Sequence, residues 1–149
     1  MGMVSAALGS PVDLVYDGKT YKLSPWSYDI QSSYERYLEG EAVAALKRLR
    51  PYLTEDEYRE QLSETRRDVG AGLYTFGSDI VAKAIWAKPH FKHLVWLCLQ
   101  KNHPEATKDL VSKMVDDQLD EVFAKMNEAN ADPSVPPTTT PTPAGPAVP

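Results

Sequence analysis

The sequence predicts a mostly helical α+β domain, a helical bundle opened by a two-stranded β-hairpin and followed by a disordered, proline-rich tail. Three observations carry this expectation. A short alternating segment near the N-terminus is bisected by Asp17-Gly18, the segments from Ser24 to about Asn130 repeat apolar residues at helical spacing, and seven prolines crowd residues 133–149. The expected organisation is a flexible N-terminus (1–11), one domain (12–131) and the tail (132–149).

The hairpin is read from Val12-Asp13-Leu14-Val15-Tyr16, the turn Asp17-Gly18, and Lys19-Thr20-Tyr21-Lys22-Leu23. Asp-Gly suits a two-residue turn in which both positions need positive φ, and a loop of that length sets the register. Leu14 then faces Tyr21 and Val12 faces Leu23 on an apolar side, while Asp13 faces Lys22 on the other. Two strands alone are marginal, so the ribbon must pack on helices or on another chain.

A first helix is expected with Ser24 as its cap and Pro25 in its first position, carrying Trp26, Ile30, Tyr34, Tyr37 and Leu38 on one stripe and stopping at Gly40. A separate short helix is expected over Glu41 to Arg50, presenting Val43, Leu46 and Leu49. Thr54-Glu55-Asp56-Glu57 is a capping-box sequence, and the helix behind it turns Tyr58, Leu62 and Val69 inward until Gly70 and Gly72 loosen the chain. Ser78-Asp79 can cap a helix with Ile80, Val81, Ala84 and Ile85 at core spacing, and Pro89 ends it or begins the next. Phe91 to Lys101 is apolar nearly all round, which places it at the centre of a bundle, and Asn102-His103-Pro104 stops it. Thr107 caps a helix that buries Leu110, Val111, Met114 and Val115; a last helix from about Asp117 shows Leu119, Val122, Phe123 and Met126 at i, i+3, i+4, i+7. The tail carries no charge from Pro133 onward and is expected to sample extended polyproline-II conformations as a linker or partner-binding arm.

The bulk numbers narrow the function. Of 149 residues, 42% are hydrophobic and 25% charged, ordinary values for a globular protein. A domain of about 120 residues can build a core without disulfide staples. The net charge of −5 argues against a nucleic-acid partner, which would call for a basic surplus. The compact basic group Lys47, Arg48 and Arg50 follows Glu39 and Glu41 and reads as a mixed-charge solvated face. The single cysteine, Cys98, lies in the run Leu94-Val95-Trp96-Leu97-Cys98-Leu99 and reads as a small buried hydrophobe in a reducing compartment. No stretch approaches the ~18 apolar residues of a membrane span, and the N-terminus does not read as a signal peptide. A cytoplasmic protein is expected, with no membrane partner.

Catalytic chemistry is hard to place. His90 and His93 stand at i, i+3, a spacing metals use, but no obvious further ligands accompany them. His103 precedes Pro104 and reads as part of a helix-ending turn. Asp116, Asp117, Asp120 and Glu121 could serve acid–base work or a divalent ion, yet they lack a calcium loop and suit the polar start of a helix. Gly70-Ala71-Gly72 and Gly77 do not make a phosphate loop. The expectation is a protein that is not an enzyme, with no cofactor and no catalytic or metal-binding residues.

Two stretches carry a resemblance to a known family. Asp17-Gly18-Lys19-Thr20-Tyr21-Lys22-Leu23-Ser24-Pro25 is similar to a DGKxYxL-S/T-P hairpin running into a helix. Leu94 to Thr107, reading LVWLCLQKNHPEAT, resembles an LLWLxLRKxHPExT stretch, departing from it at Gln100 where a basic residue is expected. Both patterns belong to the tail assembly chaperones of long-tailed bacteriophages, small proteins encoded just before the tape measure protein. The middle of the chain, Glu41 to Ile85, carries no such likeness. The resemblance implies a non-catalytic chaperone in the host cytoplasm that self-associates and coats the tape measure protein while the tail tube protein assembles around it. It also implies that this is the shorter of two frameshift-related products, with the tail leading to the extension. The rival expectations are a structural tail or connector protein retained in the virion, a helical enzyme or regulator whose site is assembled from distant residues, and a DNA-binding regulator.

Overall fold

The computed structural model describes residues 9–131. The expected tail, 132–149, and most of the expected flexible N-terminus lie outside these residues. Strands β1 (Val12–Tyr16) and β2 (Lys19–Leu23) are followed by α1 (Tyr28–Leu49), a single 3-10 turn (Arg50–Tyr52), α2 (Glu55–Gly70), α3 (Asp79–Trp86), α4 (Lys88–Gln100), α5 (Lys108–Asp117) and α6 (Leu119–Ala129). The described residues are mostly helical with one two-stranded antiparallel sheet, as the sequence predicts.

The hairpin forms in the expected register, with Val12 opposite Leu23, Asp13 opposite Lys22 and Leu14 opposite Tyr21. Asp17 and Gly18 take φ of 52° and 75°, the left-handed pair that a two-residue turn requires. Leu14, Tyr21 and Leu23 are buried, and Lys22 pairs with Asp13 at 2.9 Å on the outer face. The buried side of the ribbon rests on α4 and α6. Helix α4 is the centre of the bundle, packing against α1, α3, α5 and β2. It buries Phe91, Leu94, Val95, Cys98 and Leu99, which explains a run too apolar for a surface helix.

Two expected helix boundaries are corrected. Ser24 and Pro25 do not start α1; the helix begins at Tyr28, behind Ser27. Ser24 is drawn instead into the hairpin–α4 junction, where its N–H donates to the Cys98 carbonyl at 3.1 Å. The Trp26 N–H donates to Asn130 Oδ1 at 2.7 Å and the Ser27 N–H to the Pro25 carbonyl at 2.8 Å, so the groups a Ser24 cap would serve already have partners. Ser27 makes no side-chain cap; its hydroxyl donates to Asp29 and accepts from Lys101 Nζ.

The second correction is Gly40, which does not stop the helix. The stretch expected as two helices is one, 22 residues long. Glycine in a helix costs roughly 1 kcal/mol relative to alanine. The continuing burial of Leu38 and Leu46 on either side outweighs that cost.

The other start signals act as read. Thr54 and Glu57 form a reciprocal capping box, Ser78 accepts from the Val81 N–H, and Thr107 accepts from the Leu110 N–H. Pro89 opens α4 instead of closing α3. Helix α2 turns only Tyr58 fully inward; Leu62 and Val69 are half-buried. It packs chiefly on α1, and neither Tyr58 nor Leu46 joins the main core cluster. The second half of α1 and α2 therefore form a helical hairpin attached to the bundle through α1.

Candidate functional site

The two family-like stretches meet at one junction. β2 runs past the C-terminal end of α4, where the Lys22 N–H donates to His103 Nε2 at 2.8 Å and the Ser24 N–H donates to the Cys98 carbonyl. Asn102 Nδ2 donates to Ser24 Oγ at 2.7 Å, and the Tyr21 and His103 rings meet edge to face with centroids 5.2 Å apart. Lys101 Nζ reaches Asp29 at 2.9 Å and ties α4 to the start of α1. The Ser27 hydroxyl and this ammonium hold the Asp29 carboxyl at about 2, well below its ordinary value. Asn-His-Pro is thus more than a helix stop, since its asparagine and histidine latch the hairpin onto the central helix.

The histidines do not converge on a common ligand position. His90 Nδ1 lies 2.9 Å from the Tyr37 hydroxyl, while His93 stacks flat on the Tyr37 ring at 3.7 Å. Burial, with Lys108 nearby, lowers His93 to about 4, so it is neutral at physiological pH. His93 and Tyr37, together with Trp96 and Lys108, line a shallow cleft of about 340 Å3, in which the Lys108 ammonium sits 4.8 Å from the Trp96 ring centroid. Lys92, at the same cleft, is engaged by Ser112 at 2.8 Å and by Asp116. Among the described residues no three His, Cys, Asp or Glu side chains are grouped to hold a metal.

The acidic cluster is dispersed onto structural partners. Asp116 pairs with Lys88 at 2.9 Å and Lys92 at 3.0 Å, which lowers its pKa. Asp117 accepts from the Tyr16 hydroxyl at 2.6 Å, and this bond raises that phenol to about 12. Asp120 and Glu121 lie in the first turn of α6, where negative charge is favourable. Cys98 is fully buried and its thiol is pushed up by desolvation, the opposite of an activated nucleophile. The basic group also divides. Arg50 lies over the Tyr58 ring, 4.3 Å from its centroid, and pairs with Glu55, whereas Lys47 points to a different surface.

That surface is the feature the sequence reading missed. An open groove of about 680 Å3 runs between α1 and α2, with Gly40, Val43 and Ala44 along α1 and Thr65 and Val69 along α2. Arg36, Lys47 and Arg66 rim it, with Glu39 beside them. The signal was present as the i, i+4, i+7, i+8, i+11 spacing of Arg36, Gly40, Val43, Ala44 and Lys47, but a helix boundary placed at Gly40 cuts that stripe in two.

Comparison with protein-family models, curated proteins and solved structures finds no match to this chain. Among the described residues no helix is long and apolar enough to cross a membrane.

Proposed function

We propose that this chain is a tail assembly chaperone of a long-tailed bacteriophage, a non-catalytic protein that binds the tape measure protein in the host cytoplasm during tail morphogenesis. The observation that supports this reading is the junction of β2 with α4. The two stretches that resemble the family are about 80 residues apart in sequence, yet they share the hydrogen bonds from Lys22 to His103 and from Asn102 to Ser24. A chance likeness in two short segments carries no expectation that they touch; a structural signature does. The work on this reading is non-covalent, with several copies shielding apolar helical stretches of the partner and a net charge of −5 helping to keep the complex in solution.

The test is co-expression with the product of the long gene downstream, purified through a tag on that partner. Co-purification in several copies, with the partner soluble only when both are made, supports the proposal. An insoluble partner and a chain that elutes alone remove it. Presence of the chain in purified particles points instead to a structural tail component.

A further inference from the structure

We infer that the α1–α2 groove is a self-association surface, in which the acidic face of α2 from a second copy docks against the basic rim of the groove. The family resemblance already implies self-association; the groove assigns it a surface, on grounds that stand without that resemblance. It starts from an apolar groove whose floor, Val43, Ala44 and Val69, is only half-buried. The cations on its α1 rim, Arg36 and Lys47, are exposed and make no ion pair among the described residues.

The complementary surface lies next to it on the same hairpin. Glu57, Glu60, Glu64 and Asp68 share one face of α2 at i, i+3, i+7, i+11, and Thr65 borders both this face and the groove. Glu60, Glu64 and Asp68 make no ion pair among the described residues, and Glu57 uses its carboxylate on the Thr54 cap. The dimensions agree. Arg36 to Lys47 and Glu57 to Asp68 each span eleven residues, three helical turns or about 16 Å. Glu39 on α1 and Arg66 on α2 apart, the patch has a basic half on α1 and an acidic half on α2, and such a patch is self-complementary under a two-fold axis, where α1 of each copy meets α2 of the other. The apolar floor is covered in the same step, giving a four-helix contact.

The isologous arrangement makes a sharp test by sedimentation equilibrium of the full chain. Two variants are compared, Arg36→Glu with Lys47→Glu, and Glu60→Lys with Glu64→Lys. All four positions are exposed, and circular dichroism checks that each variant keeps its helix content. The wild type should form a dimer that weakens as sodium chloride is raised. Each reversal should raise its dissociation constant by about tenfold or more, since it sets like charges against one another twice. Mixed in equal amounts, the two variants should form a heterodimer, because both α1–α2 contacts are then opposite in charge; a chain carrying all four changes should dimerise with itself. A monomeric wild type, a dimer indifferent to both reversals, or variants that fail to rescue each other would overturn the inference. Indifference to both would direct attention to the edge of the hairpin.

Discussion

Replacing Asn102 with alanine tests whether the hairpin is latched to the central helix as the junction geometry requires. The Asn102 amide donates to Ser24 Oγ at 2.7 Å, and the two partners differ in exposure: Ser24 is 4% exposed while Asn102 is open to solvent. A net hydrogen bond contributes about 1 kcal/mol, and a buried polar group left without its partner costs a further ~1–3 kcal/mol. Asn102→Ala strands the buried serine hydroxyl and should cost about 2 kcal/mol. Ser24→Ala leaves an amide that can turn to water and should cost about 1 kcal/mol. The double variant should cost little more than Ser24→Ala alone, giving a coupling energy of about 2 kcal/mol. Urea denaturation followed by far-ultraviolet circular dichroism reads these differences, and for a domain of this size each kcal/mol moves the thermal midpoint by roughly 3–5 °C. Equal costs for the two single changes, adding to the double, would refute the latch and reduce Asn-His-Pro to a helix terminator.

Two further predictions concern the helices. His93 is lowered to about 4 in the folded state by burial, below its ordinary value near 6.5. The unfolded chain therefore binds the extra proton first, so stability is full above pH 6.5 and is lost as the pH falls toward 4; His93→Phe should keep the stack on Tyr37 and flatten urea midpoints across that window. Gly40→Ala should stabilise the monomer by about 0.5–1 kcal/mol, because a Cβ at this helical position meets nothing within 4 Å and alanine narrows the unfolded ensemble; thermal unfolding at low protein concentration reads the gain, and a loss would mean that the helix stops at Gly40, as the sequence predicts.

Where a signal was local, it was legible. The Asp17-Gly18 turn dictates the backbone conformation and with it the entire strand register. The box of Thr54 and Glu57 needs only four consecutive residues to satisfy itself, and the helix starts where it is written. The apolar run around Cys98 forecast a central helix because no surface arrangement would cover it. Asp120 and Glu121 stand at a helix start as expected, whereas Asp116 and Asp117 close α5 instead of opening a helix, and their partners, Lys88, Lys92 and Tyr16, could not be read from the sequence. The groove between α1 and α2 was invisible, because it exists only once one helix is known to run through Gly40 and another to fold back beside it.

The amino-acid sequence by itself thus determined the mostly helical class, the hairpin and its register, the central place of α4, and the capped starts of α2, α3 and α5. All of these follow from interactions between residues close in the chain or from one segment's need to leave water. Only the tertiary structure decided that Ser24 is a latch residue and not a cap, that Gly40 is an ordinary helical position, and that His90 and His93 meet at Tyr37. The reason is common to the three. A serine, a glycine or a histidine is compatible with several local conformations that differ by about 1 kcal/mol. Contacts made by residues far away in sequence, Asn102 for Ser24 and Tyr37 for the histidines, and for Gly40 the burial of Leu38 and Leu46 on either side of it, are large enough to choose among them.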